Sequence, residues 1–135
     1  MTYNLFLDDI RMPHDVGNYI YPVELRPLFR LQPWKIVRNY DEFVSKISIS
    51  EIPDLISFDH DLSDEHYDPS MYQGEAEYNK NYERFKEKTG YDCAKWLIKY
   101  IIDNKFKMPE ILCHSMNPVG KENILKLFEN YARTI

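Results

Sequence analysis

The sequence lacks any long hydrophobic run, since no apolar stretch approaches the roughly 20 residues that a membrane-spanning helix needs. Its first eleven residues have no basic region of the kind that opens a secretory signal, and they already include two aspartates. Only two cysteines are present, Cys93 and Cys113, each within an apolar-patterned segment. We therefore expect no membrane segment and predict buried free thiols rather than a disulfide, as in a protein of the reducing cytoplasm.

The chain also lacks an excess of positive charge. Its 22 acidic and 17 basic side chains give a net charge of -5, so nothing favours binding along an extended nucleic-acid duplex. A local basic pocket for one phosphate group is still compatible with this balance. There is no internal repeat and no low-complexity tract, and 135 residues are enough for one domain with a buried core.

Four short apolar runs alternate with segments of helical pattern, which predicts an α/β fold with a parallel sheet. We expect strands at 3–7, 34–37, 55–58 and 111–113. Between the first two, prolines recur at positions 13, 22, 27 and 33, which predicts a loop with one helical turn rather than a long helix. Helices are predicted after a cap at Asp41, after the Thr89–Asp92 capping pattern, and over 120–132.

Residues 63–88 form a long, polar, tyrosine-rich connection, which we interpret as an insert into a single domain spanning 1–135. Part of this insert, 75–88, has a pattern that suits either a helix or a mobile flap. Because the insert leaves directly from Asp61, we expect it to lie above the ends of the strands and to act as a substrate lid.

Polar side chains of the types used in catalysis follow three of the four predicted strands. In an open parallel sheet, ligands bind beyond the carboxyl ends of the strands, so these side chains should converge although they are distant in sequence. They are Asp8, Asp9, Asp59, His60, Asp61, His114 and Ser115. The sequence therefore predicts a site at this edge of the sheet.

The aspartates of this set suggest a bound cation. Clustered carboxylates repel one another and destabilise a fold unless a cation or a proton lies among them. We expect Asp8, Asp9 and Asp59 to hold Mg²⁺ or Mn²⁺, since both ions prefer oxygen ligands. The alternative is that each pair of aspartates simply begins a solvated loop.

The histidines suggest acid–base chemistry. His60 and His114 lie at adjacent strand ends and are candidates for a general acid and a general base, because imidazole titrates near neutrality. Taken singly, each is better explained as an ordinary polar residue. Ser115 is a phosphate-oxygen donor, a weak nucleophile or a cap for the last helix.

Three further features suit a phosphate group. Arg11 and Arg38 follow the first two strands and can contact a phosphate through two N–H groups, although either can instead pair with the carboxylates. Asn117 begins a turn that ends at Gly120, before the last helix. The first N–H groups of such a helix can hold an anion, and a plain turn is the alternative.

Five segments in this order resemble the cyclic-phosphate processing receiver-like family, a divergent branch of the response-regulator receiver fold. They are Leu7–Pro13, Val37–Phe43, Ser57–Leu62, Thr89–Asp92 and His114–Gly120. The resemblance implies a flavodoxin-like, three-layer α/β sandwich with a shortened, mostly parallel sheet of four strands. It also implies action on a cyclic phosphate and a link to RNA or nucleotide repair.

Carried over by position, the resemblance implies that Asp8 and Asp9 match the acidic pair that holds Mg²⁺ in receivers. Asp59 then matches the phosphoacceptor aspartate, and Ser115 matches the hydroxyl at the end of the fourth strand. Within these 135 residues we expect no counterpart of the fifth strand of signalling receivers or of the lysine before it, since Lys121 lies on a different element. A phosphorylation switch is therefore the weakest interpretation.

The leading hypothesis is a metal-assisted phosphoesterase of the cytoplasm, a hydrolase of a cyclic phosphate on a nucleotide, an RNA end or an ADP-ribose derivative. In it Asp59 is either a metal ligand or the nucleophile. The residues assigned to catalysis are Asp59, His60, His114 and Ser115, and those assigned to the substrate are Arg11, Arg38 and Asn117. The alternative is a non-catalytic receiver-like module that binds a phosphorylated ligand or a protein partner.

Overall fold

The computed structural model describes residues 3–62 and 88–134 of the chain. All four predicted strands form, and they lie in one sheet in the order β2-β1-β3-β4. They are β1 (Asn4–Leu7), β2 (Lys35–Val37), β3 (Leu55–Phe58) and β4 (Glu110–Cys113). Every neighbouring pair is parallel, whereas the sequence predicted a mostly parallel sheet.

Five helices accompany the sheet in the described part of the chain. They are α1 (Pro13–Val16), α2 (Arg26–Leu31), α3 (Tyr40–Ile49), α4 (Gly90–Asn104) and α5 (Pro118–Ala132). A short 3₁₀ turn, Val23–Leu25, leads into α2. The predicted α/β alternation is confirmed, and it has the receiver-like, flavodoxin-type arrangement of parallel strands joined by helices.

The proline-rich segment between β1 and β2 is more helical than its composition predicts. Pro13 is the first residue of α1, and Pro27 is the second residue of α2. A proline in the first turn of a helix breaks no hydrogen bond, because the N–H groups there have no partner within the helix. The expectation of one helical turn was wrong for this reason, although no long helix forms.

Helix caps agree with the sequence in one case and differ in another. The Thr89–Asp92 capping box is confirmed, since each side chain accepts a hydrogen bond from the other residue's backbone N–H. The cap predicted at Asp41 was wrong, because the side chain of Asn39 accepts from the Glu42 N–H at 2.9 Å and so starts α3 two residues earlier.

Helices cover both faces of the sheet, which makes three layers. Side chains of a strand alternate between faces, so Leu5 and Leu7 pack with α3, α4 and α5, while Phe6 between them packs with α1 and α2. The larger core includes Phe43, Ile47, Leu97, Ile101, Ile124 and Phe128. The smaller core, on the face of α1 and α2, consists of Phe6, Val16, Ile20 and Phe29.

Three other expectations concern burial, the membrane and the insert. Cys93 and Cys113 are buried thiols outside any disulfide, as predicted. No helix in residues 3–62 or 88–134 has both the length and the apolar character needed to cross a bilayer. The predicted lid, 63–88, and the predicted helix, 75–88, lie outside the described residues except for residue 88, so both remain predictions.

Candidate functional site

Strand register brings three distant residues into one row. Leu7 pairs with Phe58, and Phe58 pairs with Cys113. The residues that follow are Asp8, Asp59 and His114, and the hydrogen bonds continue to them: Asp59 N–H donates to the Leu7 carbonyl and His114 N–H to that of Phe58, both at 2.9 Å. Parallel strands in register point paired side chains to the same face, so these three side chains meet.

A buried chain of hydrogen bonds links Asp8, His114 and Ser57. His114 Nε2 lies 3.0 Å from Asp8 Oδ2, and His114 Nδ1 lies 2.7 Å from Ser57 Oγ. Asp8 Oδ1 also accepts from the backbone N–H groups of Ile10 and Arg11, at 3.0 and 2.9 Å. Both ring nitrogens of His114 and both oxygens of Asp8 therefore have protein partners.

The pKa shifts of this pair assign its protonation state. Burial acts to raise the pKa of the Asp8 carboxyl, but the hydrogen bonds from His114 and from two backbone N–H groups outweigh it, and the pKa is lowered. Burial lowers the pKa of the His114 imidazole, against the opposing effect of Asp8. The pair is therefore an ionised carboxylate and a neutral ring whose Nε2–H donates to Asp8, with the Ser57 hydroxyl donating to Nδ1.

The imidazole of His114 is fixed by its neighbours as well as by hydrogen bonds. It stacks on Phe6 with ring centroids 4.5 Å apart and planes 6° from parallel, and it meets Phe29 edge-on at 6.3 Å. The Tyr19 hydroxyl donates to the His114 carbonyl at 2.8 Å. This residue is an enclosed part of the fold, positioned by Phe6 of β1, Phe29 of α2 and Tyr19 after α1.

Asp59 occupies the centre of the row, between Asp8 and His114. Its Oδ1 accepts from the His60 N–H at 2.9 Å, but its Oδ2 is buried and has no hydrogen-bond partner among the described residues. Burial, followed by the negative charges of Asp8 and Asp61, raises the pKa of Asp59 to about 8. A carboxyl in this setting needs a proton or a cation nearby at neutral pH.

His60, Asp61 and Asn117 form a second buried set beside the row. His60 Nδ1 lies 3.0 Å from Asp61 Oδ1, and Asn117 Nδ2 donates to both oxygens of Asp61, at 3.3 and 3.2 Å. Asn117 Oδ1 accepts from the Gly120 N–H at 3.1 Å and caps α5. The Asn117 side chain therefore caps α5 and also orients the Asp61 carboxylate, which in turn orients the His60 ring.

Two glycines allow the helices to approach this set closely. An added Cβ at Gly90 would lie 1.8 Å from the Asp59 carbonyl oxygen, and one at Gly120 would lie 2.4 Å from His60 Cγ. The Gly90 N–H donates to the His60 carbonyl at 2.8 Å. The first turns of α4 and α5 can therefore rest directly on the residues that follow β3.

A groove elsewhere on the molecule is not part of this arrangement. Its volume is about 710 Å³, and it is lined by Ile47, Ile52, Asp54, Tyr100, Phe106 and Glu110, among others. Asp54 and Glu110 lie at the amino ends of β3 and β4, so the groove is at the opposite edge of the sheet. The charged and titratable groups, not this concavity, locate the candidate site.

The family comparison agrees with this geometry. A family model described as the cyclic-phosphate processing receiver domain matches residues 3–130. The chain belongs to this family. Searches of curated proteins and of solved structures returned no match. The match extends over nearly all of the chain and confirms the resemblance found in its sequence motifs.

In this receiver domain, the two predicted phosphate-binding arginines differ in position. Arg11 has a side chain 28% exposed, 3.7 Å from Asp8 Oδ2, and it donates to Met116 Sδ at 3.2 Å. Arg38 Nη1 donates to the backbone carbonyls of Asp8 and Arg11, at 3.1 and 2.7 Å. Arg11 lies at the rim of the site, and Arg38 holds the loop that follows β1.

Asp9 and Ser115, the other predicted site residues, flank the row of the receiver site. Asp9 is half-buried, and the described side chains whose ligand atoms lie within 4.8 Å of one another are Asp8, Asp59 and His114 instead. Ser115 is buried, and its Oγ accepts from the Asn117 N–H at 3.1 Å. The alternative that Ser115 caps the last helix was wrong, because Asn117 caps α5.

The sequence analysis missed Ser57, which contacts His114. A signal for it was present: Ser57 is the one polar residue of Leu55–Phe58, and it lies two positions before Asp59. Alternation along a strand puts residues two apart on the same face. Register with Phe6 and Leu112 then places Ser57 in the row immediately below the three converging side chains.

Proposed function

We propose that this receiver domain is a metal-assisted phosphoesterase that opens a cyclic phosphate on a nucleotide, an RNA end or an ADP-ribose derivative. The observation that carries the proposal is Asp59, a buried carboxyl whose Oδ2 has no partner among the described residues and whose neighbour in the row is the ionised Asp8. Two carboxyl groups placed in this way favour the binding of a cation, and a bound cation favours the binding of a negatively charged phosphate.

Asp8 and Asp59 are the residues that would hold the ion, with Asp9 as the further ligand expected from the sequence. Mg²⁺ or Mn²⁺ bound there would neutralise the negative charge of the phosphate and of the oxygens around the reacting phosphorus. The oxygen donors of the row fit such an ion, because the unpartnered Asp59 Oδ2 is a hard, buried ligand atom.

The rim of the site supplies contacts for the phosphate. Arg11 is part-exposed, so its guanidinium can turn from Met116 toward a phosphate oxygen. The Ser115 hydroxyl oxygen accepts from the Asn117 N–H, which leaves its hydrogen for a phosphate oxygen. Arg38 acts indirectly, because it donates to the backbone carbonyls of Asp8 and Arg11. It thereby fixes the loop that carries both of those side chains.

Proton transfer is assigned to His60 first. Asp61 fixes the His60 ring through Nδ1, as carboxylates do for catalytic imidazoles, and Asn117 in turn fixes Asp61. His114 is assigned a smaller role in proton transfer than the sequence suggested, because its two ring nitrogens already form hydrogen bonds with Asp8 and Ser57.

Two routes use these residues. In the first, His60 removes a proton from water, whose oxygen attacks phosphorus while the bond to one ring oxygen breaks and that oxygen takes a proton. In the second, an Asp59 oxygen attacks phosphorus, the same bond breaks, and water then releases the phosphoryl group from Asp59. Acid quenching during turnover followed by mass spectrometry separates them, because only the second forms a covalent adduct on Asp59, which raises the mass of the protein by that of the substrate.

The test is a phosphorus NMR assay with 2′,3′-cyclic nucleotides and ADP-ribose cyclic phosphate, with and without Mg²⁺ or Mn²⁺. We expect metal-dependent ring opening that is lost in Asp59→Asn and strongly reduced in His60→Ala. The matched controls are Asp103→Asn and His14→Ala, which change exposed residues outside the row. Ring opening that survives in Asp59→Asn contradicts the proposal.

The enclosure of His114 favours a second candidate, a non-catalytic module that binds a phosphorylated ligand. It predicts phosphate-ligand binding without a divalent ion and without turnover. Line broadening of the phosphorus signal, with no new resonance over prolonged incubation, is the result that selects it over the phosphoesterase.

A further inference from the structure

The row at the carboxyl end of the sheet contains an imidazole as well as carboxylates. One potential ligand atom from each of Asp8, Asp59 and His114 lies within 4.8 Å of the others, and all three residues are buried. In addition, Asp59 Oδ2 is buried without a hydrogen-bond partner among the described residues. The cluster therefore offers an unused buried oxygen beside a ring nitrogen and a second carboxylate.

We propose that the cation site of this chain is formed by Asp8, Asp59 and His114, and that its imidazole ligand makes it select Mn²⁺, Co²⁺ or Zn²⁺ over Mg²⁺. This inference rests on the cation of the proposed function, and it changes the ligand set expected from the receiver resemblance. Asp9, the third ligand expected there, is half-buried and is not in the cluster.

The spacing of the donor atoms suits a shared ion. His114 Nε2 and Asp8 Oδ2 are 3.0 Å apart. Neighbouring ligands on an ion with bonds of about 2.1 Å lie about 3 Å from each other, so this pair already has the separation that two ligands of one ion require. Asp59, with its unpartnered oxygen, supplies the third ligand from the middle of the row.

The preference for Mn²⁺, Co²⁺ or Zn²⁺ over Mg²⁺ follows from the imidazole nitrogen of His114. Mg²⁺ binds oxygen ligands and keeps most of its water, whereas Mn²⁺, Co²⁺ and Zn²⁺ accept imidazole readily and bind mixed nitrogen and oxygen sites more tightly. A ligand set of two carboxylates and one histidine therefore discriminates against Mg²⁺. An all-aspartate set would lack the contribution of the nitrogen to this preference.

Ser57 allows the Nε2 atom of His114 to become a metal ligand. With the proton on Nε2, the ring donates to Asp8 Oδ2 at 3.0 Å and Nδ1 accepts from Ser57 Oγ at 2.7 Å. When Nε2 becomes a ligand, its proton must leave, and the ring stays neutral only if Nδ1 gains one. A serine hydroxyl donates or accepts equally well, so Ser57 Oγ, 2.7 Å away, can then accept from Nδ1–H without moving. Histidines that bind metals commonly donate their other N–H in this way.

The primary experiment uses the wild-type chain with Mn²⁺ as the probe. Binding is measured by electron paramagnetic resonance, and pulsed spectra report whether a nitrogen atom is coupled to the bound ion. We expect nitrogen coupling and an affinity for Mn²⁺ at least about tenfold above that for Mg²⁺, measured by competition. Bound Mn²⁺ without nitrogen coupling overturns the proposal, as does equal affinity for the two ions or no binding of either.

Variants then locate the nitrogen. His114→Gln is expected to remove the coupling, and His14→Gln, which changes an exposed histidine, is expected to keep it. Ser57→Ala should weaken Mn²⁺ binding by about tenfold with the coupling retained, and Ser57→Thr, which restores the hydroxyl, should recover the affinity. Persistence of the coupling in folded His114→Gln contradicts the assignment. Nitrogen-coupled binding in a chain that opens no cyclic phosphate supports this inference and overturns only the phosphoesterase.

Discussion

The imidazole of His60 rests against the backbone of Gly120. A Cβ atom added at residue 120 would lie 2.4 Å from His60 Cγ and 2.7 Å from Cδ2. The ring cannot turn away freely, because Asp61 holds its Nδ1. The close contact therefore couples the start of α5 to the orientation of a histidine that follows β3.

Gly120→Ala is expected to displace the His60 ring or the first turn of α5. Overpacking of this kind lowers the free energy of unfolding by about 1–3 kcal/mol. The control is Gly17→Ala, whose new Cβ would meet Arg30 Cγ at 2.6 Å, within a long, exposed side chain that can move. Urea denaturation followed by circular dichroism compares the two, and equal losses of stability would show that the His60 contact is not tight.

Asp59→Asn is expected to remove a pH dependence of stability. The pKa of Asp59 is raised to about 8, far above the value of about 4 for an unfolded chain. Between these values the folded state holds a proton that the unfolded state has lost, so stability falls as the pH rises and levels off above about 8.

The clearest window for this effect lies from about pH 7 to pH 8 in a chelator, since the pKa of His114 is lowered and the ring is neutral there. The wild-type chain should lose up to about 1.4 kcal/mol per pH unit, and Asp59→Asn should show a flat profile. Asp103→Asn, at an exposed ion pair with Lys99, should follow the wild type. A flat wild-type profile in that window contradicts the raised pKa.

Two substitutions of Asn117 separate its two contacts. Asn117→Ala loses the cap of α5 and the donor to Asp61, whereas Asn117→Asp keeps an oxygen for the Gly120 N–H and puts a carboxylate against Asp61. Loss of a cap lowers the free energy of unfolding by about 1 kcal/mol. Repulsion between the two carboxylates is relieved when one takes a proton, so Asn117→Asp should gain stability relative to Asn117→Ala as the pH falls. Thermal unfolding at several pH values measures this difference, and a constant difference would show that no such repulsion exists.

Arg38→Lys tests the loop after β1. The lysine ammonium cannot reproduce the planar guanidinium that bonds the carbonyls of Asp8 and Arg11. We expect amide hydrogen exchange at Ile10 and Arg11, both bonded to Asp8 Oδ1, to accelerate by about tenfold or more, as loss of about 1.5–3 kcal/mol of local stability implies. Arg30→Lys, at an exposed bond to Asn18, is the control and should leave these two amides unchanged.

The sheet could be predicted because each strand is a short apolar run that ends at a polar residue. The predicted and observed bounds of Leu55–Phe58 agree, and those of each other strand differ by one residue at one end. The convergence of strand ends follows from parallel pairing alone. Helix starts were less accurate, because Asn39 and Asp41 are both good caps, and only the bond from the Glu42 N–H decides between them.

The contacts within the site could not be predicted in the same way. Whether His114 faces a substrate or the protein depends on Phe6, Phe29 and Ser57, which belong to other strands and helices. Arg38 follows β2 directly, yet its guanidinium bonds the loop after β1 because β1 and β2 are neighbours in the sheet. Such pairings depend on register and on helix placement, which a single sequence does not specify.

The bond from the Gly90 N–H to the His60 carbonyl holds together the two ends of the segment between these residues. It joins the chain just before residue 63 to the chain just after residue 88, and the Thr89–Asp92 box starts α4 at the same point. The entropy of closing a loop between fixed ends grows only slowly with length. We therefore expect that this connection can be lengthened, shortened or replaced, for instance by an inserted reporter, while the four strand ends keep their spacing.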